Sequence, residues 1–136
     1  MMSQREFPTT FTLQCGPVTA VDLSLYAAAS GDHNPLHLDD GVALAAGFER
    51  PVVHGMLSMA YVGRLLTQKF GAGSVAYLHT RFTGVAQRGQ TLQIQALLER
   101  TENGLGHYKI QATNDQGQEL VSGAAHICWP NLNHVP

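Results

Sequence analysis

"GMLSMAYVGRLLTQKF", residues 55–70, carries apolar side chains on almost every face of the helix that its spacing predicts. A helix of this kind is buried on most of its sides. We therefore expect its large apolar residues to lie in the core, and these are Met56, Leu57, Met59, Leu65 and Leu66. Its small residues would let another element approach closely, and these are Gly55, Ser58, Ala60 and Gly63. The element that covers this helix decides the fold.

Four segments with alternating apolar and polar residues follow the helix, and this period of two indicates strands. They are SVAYLHTRF (74–82), TLQIQALLE (91–99), HYKIQAT (107–113) and ELVSGAAHICW (119–129). NDQG (114–117) suits a hairpin turn between the last two. One long buried helix followed by consecutive strands is an α+β pattern, and its simplest packing is an antiparallel sheet curved around the helix. The sequence thus predicts a single hot-dog domain over residues 1–136.

The region before the long helix contains a further strand, FTLQC (11–15), and two shorter helices. Thr19 and Asp22 form a capping-box start for a helix over residues 20–30. Asp39 can cap a second, short helix. FERPVV, residues 48–53, is expected to be extended.

The composition limits the partners. A formal net charge of -2 on 136 residues gives no reason to expect nucleic acid or an anionic membrane. No apolar run approaches the roughly 20 residues of a membrane-spanning helix. The first residues lack the apolar stretch of a signal peptide, so we expect a cytoplasmic protein. Cys15 and Cys128 belong to no CxxC motif, and we expect two free thiols, buried or partly buried.

The chemistry concentrates in SGDHNPLHLDD, residues 30–40. Asp32 and His37 are separated by a rigid Asn34-Pro35 corner, and a loop of this shape can turn both side chains toward one point. A carboxylate and an imidazole acting together are what the addition of water requires, because one group removes a proton from water while the other delivers a proton to carbon. Taken singly, Asp32 could equally be a turn residue, and His37 a structural histidine.

His54 and Gly55 stand where the long helix begins. A helix N-terminus leaves backbone N–H groups unpaired and carries partial positive charge. Gly55 has no side chain, so an oxygen atom can approach its N–H, which suits an oxyanion-binding role. His54 could also be an ordinary neighbour of the helix cap, and Gly55 a packing residue.

Two other kinds of site could use residues of this region. A metal site would use His33, His37, Asp32 and His54, but the proline between the first two histidines prevents a helical i, i+4 pair, and no cysteine takes part. A serine nucleophile at Ser58 lacks the GxSxG context.

The strings GDHNPLHLDD (31–40) and FERPVVHGMLSM (48–59) resemble the MaoC-like dehydratase family, which includes the (R)-specific enoyl-CoA hydratases. The resemblance implies a hot-dog fold and a homodimer or a dimer of such dimers. It implies trans-2-enoyl thioesters of CoA or acyl carrier protein as substrates. These would be hydrated to (R)-3-hydroxyacyl thioesters, or formed from them by dehydration. It implies no metal and no prosthetic group.

By the motif match, Asp32 and His37 are the catalytic pair and Asn34 is a supporting residue. Gly55 matches the glycine whose N–H binds the thioester carbonyl oxygen, and His54 belongs with it to the predicted substrate-binding group. This chain departs from some relatives, which carry proline at the position of Gly84, aspartate at that of Gln90 and serine at that of Gly63.

Two competing functions use the same kind of substrate. A hot-dog thioesterase would need its carboxylate aimed at the carbonyl carbon, which the asparagine-proline-histidine loop argues against. A non-catalytic acyl-CoA binding module would be expected to lack the acid/base pair.

Overall fold

The structure, a computed structural model, describes residues 6–129. Its helices are α1 (Ala20–Ser30), α2 (Asp40–Ala45) and α3 (Gly55–Phe70). Its strands are β1 (Thr10–Cys15), β2 (Val75–Phe82), β3 (Leu92–Glu102), β4 (Leu105–Thr113) and β5 (Glu119–Cys128). A 3₁₀ turn over Pro35–His37 lies between α1 and α2.

The five strands form one antiparallel sheet in the order β1-β3-β4-β5-β2. Residues 114–117 make the predicted turn between β4 and β5, where the Asn114 N–H donates to the Gln118 carbonyl. The register shifts between Leu98 and Arg100 and again between Val75 and Tyr77. Irregularities of this kind bend strands, as a sheet that curves around a helix requires.

Helix α3 packs on the inner face of this sheet. Its buried large residues include Leu57, Val62, Leu65, Leu66 and Phe70. They share one hydrophobic core with residues of the sheet, among them Ile94, Tyr108, Ile110 and Ile127. The predicted α+β hot-dog arrangement is therefore confirmed. Within the described residues, no helix is both long enough and apolar enough to span a lipid bilayer.

Two predictions about burial are wrong in detail. The sheet covers only one side of α3, so Met56 is 57% exposed and not in the core. Cys128 is exposed because strand residues alternate between faces, and its neighbour Ile127 takes the buried one. By contrast, the end of the FERPVV segment pairs with residues 86–88, through the antiparallel bridge between Val52 and Gln87 and a hydrogen bond from the Val53 N–H to the Ala86 carbonyl, which agrees with the extended backbone expected there.

The caps predicted at the start of α1 and of α2 are confirmed. The Thr19 hydroxyl accepts a hydrogen bond from the Asp22 N–H at 3.1 Å, and the Asp22 carboxylate accepts one from the Thr19 N–H at 2.8 Å. Gly31 closes α1 in the left-handed conformation, with φ of 77°. The Asp39 side chain caps α2 by accepting from the Val42 N–H.

The backbone around position 84 explains why this residue is glycine. Its N–H donates to the Leu120 carbonyl at 3.3 Å, and a Cβ added there would collide with the carbonyl oxygen of Glu119. Proline at this position would remove the donor and introduce the collision. Gly63 is different, because a Cβ added there meets no heavy atom within 4 Å.

We expect Gly84→Ala to lower the free energy of unfolding by about 1–3 kcal/mol, because the methyl group forces a backbone shift. Gly63→Ala is the matched control and should raise it by roughly 0.5–1 kcal/mol, since glycine inside a helix loses more backbone freedom on folding. Chemical denaturation of both variants measures the difference. Equal stability of the two variants would contradict this account of Gly84.

Candidate active site

Short-range hydrogen bonds shape the loop that follows α1. The Ser30 hydroxyl accepts from the Asp32 N–H at 3.2 Å. Asp32 Oδ1 accepts from the Asn34 N–H at 3.2 Å, and Asn34 Oδ1 accepts from the Leu36 N–H at 3.0 Å. Asparagine and aspartate favour turns of this kind because their side chains bind the backbone two residues further on. The second turn starts the 3₁₀ segment and brings His37 back toward Asp32.

Asp32 Oδ2 lies 3.5 Å from His37 Nε2. The other ring nitrogen of His37, Nδ1, donates to the Val52 carbonyl at 2.8 Å. A carbonyl oxygen only accepts hydrogen bonds, so neutral His37 carries its proton on Nδ1 and leaves Nε2 bare. The two atoms that face each other are then both acceptors. A water molecule beside this gap can donate one hydrogen to each of them.

Both interpretations of Asp32 hold at once, because its two carboxylate oxygens differ. Oδ1 serves the turn, whereas Oδ2 faces the imidazole of His37. The side chain of Asp32 is 51% exposed and that of His37 is 12% exposed. Solvent or a ligand can therefore reach the carboxylate directly, while the imidazole is held from behind by the Val52 carbonyl.

His54 lies behind this pair, with 1% of its surface exposed. Its Nε2 donates to the backbone carbonyl of Asp32 at 3.1 Å. Its ring stacks on that of His37, with centroids 3.8 Å apart and planes inclined by 19°. The ring of Tyr26 contacts it edge-on at 4.8 Å. Burial lowers the pKa of His54, and the hydrogen bond to Asp32 opposes this shift only in part.

Gly55 is the first residue of α3, and His54 is its N-cap without a side-chain capping bond. The N–H of Gly55 therefore has no acceptor within the helix and lies at the positive end of the helix dipole. The ring of Phe82 borders it, because a Cβ added at Gly55 would lie 3.4 Å from ring carbons of Phe82. The start of α3 thus offers the Gly55 N–H as a hydrogen-bond donor, and the Phe82 ring limits the space beside it.

The structure brings together most of the residues that the sequence singled out. A carboxylate oxygen of Asp32 and ring nitrogens of His37 and His54 lie within 4.8 Å of one another. Gly55 is bonded to His54. The amide oxygen of Asn34 is engaged by its own loop, which favours a supporting role. His33 is not part of this cluster among the described residues.

The two clustered histidines are poorly arranged to share a metal ion. Their planes are stacked 3.8 Å apart and inclined by only 19°. Zinc binds in the plane of an imidazole ring at about 2.0–2.1 Å from nitrogen. An ion in the plane of one ring would therefore lie well outside the plane of the other.

Sequence reasoning missed three contributors to the site. The Val52 carbonyl orients His37, Tyr26 packs on His54, and Phe82 borders Gly55. Every residue has a backbone carbonyl, so the sequence does not indicate which carbonyl binds His37. Tyr26 and Phe82 fit the patterns of an ordinary helix and an ordinary strand, so nothing in the sequence distinguishes them. Tertiary proximity alone identifies them.

Residues 5–119 match the family model described as MaoC like domain. The chain belongs to the MaoC-like domain family. The match spans both halves of the site, from the loop of Asp32 and His37 to the start of α3.

Individual relatives agree with this membership. The chain is 33% identical over 105 residues to 3-hydroxyacyl-thioester dehydratase Y of Mycobacterium tuberculosis, covering 74% of this chain and 36% of that protein. It is 47% identical over 57 residues to the (R)-specific enoyl-CoA hydratase of Aeromonas caviae, covering 41% of this chain and 42% of that protein. The chain thus spans less than half the length of either curated relative.

The fold is also shared with a solved hydratase. The chain superimposes on the (R)-hydratase of A. caviae involved in PHA biosynthesis with a TM-score of 0.84 and 26% sequence identity. The superposition covers 95% of this chain and 100% of that chain. This likeness supports the hot-dog architecture independently of the short motifs.

Proposed function

We propose that this protein is an (R)-specific hydratase of trans-2-enoyl thioesters, able to run in reverse as a 3-hydroxyacyl thioester dehydratase. One observation carries the proposal. In a family whose relatives include enzymes with these names, Asp32 Oδ2 and His37 Nε2 stand 3.5 Å apart with free lone pairs. This pair can hold and activate one water molecule.

In the proposed reaction, the thioester carbonyl oxygen accepts a hydrogen bond from the Gly55 N–H. The water oxygen bonds to Cβ as one member of the Asp32–His37 pair takes its proton, and the electrons of the double bond move toward the carbonyl oxygen. The pair then delivers one proton to Cα, so it ends with the protons it began with. Because water and both groups lie on one side of the substrate, the addition is syn.

The remaining residues support this pair. Asn34 holds the loop through the Leu36 N–H. The reaction needs no metal or prosthetic group, because the carrier (CoA or the pantetheine of acyl carrier protein) arrives as part of the substrate. The stacked geometry of the two histidines agrees with that assignment. The cytoplasmic location stays a prediction.

The first test mixes the purified protein with crotonyl-CoA and follows the absorbance of the enoyl thioester. We expect wild type to remove it without releasing free CoA. Asp32→Asn and His37→Ala should each lose about 10²–10⁴-fold in kcat, the usual contribution of a positioned acid or base. The matched control Asp115→Asn changes a carboxylate that accepts from the Thr91 N–H elsewhere and should keep wild-type activity.

Release of free CoA in this assay would instead indicate a thioesterase. Near-normal turnover by Asp32→Asn or His37→Ala would contradict the mechanism. If crotonyl-CoA is unchanged, longer enoyl thioesters of CoA and of acyl carrier protein should be hydrated. A protein that binds these thioesters and hydrates none of them would be a binding module.

The oxyanion role of Gly55 can be tested by removing its donor. Proline is well tolerated at the first position of a helix. The preceding residue His54, at φ -55° and ψ 131°, already has the extended backbone that proline demands. We expect Gly55→Pro to fold and to lose about 10²–10³-fold in kcat. Gly55→Ala, which keeps the N–H, is the control, and equal activity of both variants would exclude the donor role.

We further propose that the protein is a homodimer, or a dimer of such dimers. β2 is an edge strand that pairs only with β5 among the described residues, and an unpaired strand edge is a ready surface for association. Tyr77 and Phe82 of β2 are about half exposed, and Met56 of α3 is 57% exposed. Light scattering at micromolar concentration should give at least twice the mass of one chain, and a monomer would contradict the proposal.

A further inference from the structure

We propose that His54 is a positioning residue that joins the three working parts of the proposed hydratase site without touching the substrate. It binds the backbone of Asp32, supports the ring of His37 and is covalently bonded to Gly55. This inference rests on the proposed function for its kinetic consequences, whereas its geometric consequences can be measured separately.

The hydrogen bond to Asp32 is the first of these links. The side chain of Asp32 is half exposed on a loop, and the short-range bonds of that loop fix its shape but not its place in the molecule. His54 comes from the buried start of α3, 22 residues further along the chain, and its Nε2–H reaches the Asp32 carbonyl at 3.1 Å. With 1% of its surface exposed, the ring holds this bond where water competes little for it.

The stack on His37 is the second link. The bond from Nδ1 to the Val52 carbonyl fixes one point in the plane of the His37 ring. It leaves the ring free to tilt about that bond. The parallel ring of His54, 3.8 Å away, blocks tilting on one side. Together the two contacts aim Nε2 at the carboxylate of Asp32.

The protonation of His54 agrees with this role. Its Nε2 carries the proton that the Asp32 carbonyl accepts, and its buried Nδ1 has no hydrogen-bond partner among the described residues. The titratable groups that face it are Asp32, His37 and Tyr26. Burial lowers the pKa of His54 most and a charge on His37 lowers it further, while the hydrogen bond to Asp32 and the charge of its carboxylate raise it. The lowered pKa favours the neutral form of His54, with its single proton on Nε2.

The third link is the peptide bond to Gly55. As the N-cap of α3, His54 has a backbone conformation that determines the direction of the first N–H of the helix. A ring fixed by Asp32, His37 and Tyr26 fixes this backbone as well. A shift of the ring would thus misplace the acid/base pair relative to the oxyanion donor.

The test separates the hydrogen bond from the ring. His54→Gln places an amide N–H where Nε2 was but removes the stacked ring. His54→Phe keeps a stacked ring but leaves the Asp32 carbonyl without its donor. The matched control is His126→Phe, because His126 also stacks on a neighbouring ring, that of Tyr77 at 4.6 Å, and contacts a second histidine ring, that of His107 at 4.0 Å.

We expect kcat for enoyl-CoA hydration to fall about 10²-fold in His54→Phe, the scale of a 1 Å misplacement. KM should stay within about twofold, since the residue does not contact the substrate. His54→Gln should recover part of the loss, and His126→Phe should match wild type. Unchanged kcat in a folded His54→Phe protein would overturn the proposal, and so would a loss confined to KM, which would mean substrate contact.

A second measurement does not depend on activity. In ¹⁵N NMR spectra, His37 of wild type should show a protonated Nδ1 and a bare Nε2, as the Val52 bond requires. In His54→Gln, which removes the stacked ring, we expect these two signals to move toward those of a mixture of tautomers, whereas His54→Phe, which keeps a ring, should move them less. If they do not move, the positioning role is wrong, even if wild type hydrates nothing. If wild type is inactive but the signals move, the proposed function fails and the positioning role stands.

A merely structural role is distinguished by stability. It would lower the unfolding midpoint of both His54 variants equally while leaving kcat per folded molecule and the His37 signals unchanged. That pattern would also overturn the proposal. Partial recovery by His54→Gln, in kcat and not in stability, is the result that a positioning residue requires.

Discussion

The burial of one face of α3 against the sheet is the interaction on which the rest of the structure depends. Val62, Leu65 and Leu66 are almost entirely buried in this contact, and burying a side chain of this size contributes roughly 1.5–3 kcal/mol. These contacts fix both the position of the helix and its rotation about its axis. They therefore also fix where its first residue lies, so the core determines the location of His54 and Gly55.

The loop that carries Asp32 and His37 is held in a different way. Side chains of Ser30, Asp32 and Asn34 bind backbone N–H groups two residues further on and give the loop its shape. Two longer links then attach it to the buried part of the molecule, from His37 to the Val52 carbonyl and from His54 to the Asp32 carbonyl. An exposed loop can thereby hold a defined geometry without contributing large residues to the core.

The proposed site and the proposed dimer contact meet at Phe82. This residue ends β2, the edge strand, and its ring lies against Gly55 at the start of α3. Association along this edge would therefore act close to the oxyanion donor. Gly55 and Met56 are neighbours at the start of α3, and Met56 is exposed. A second chain that covers this side of the helix would account for the apolar side chain of Met56, which the sequence pattern assigned to a core.

The sequence by itself determined the helices and strands, because period-two and helical patterns, the Thr19–Asp22 capping box and the left-handed Gly31 are local properties of the chain. It also identified Asp32 and His37 as candidates, since the spacing around Asn34-Pro35 restricts the loop, and Gly55, since a glycine at the start of a helix exposes its N–H. Only the tertiary structure decided that Met56 and Cys128 are exposed, that Val52 orients His37, and that His54 lies behind the pair with its ring buried. These facts depend on which faces meet across 15 or more residues of chain, as between His37 and Val52. Local sequence patterns do not specify such contacts, because packing of the whole core selects them.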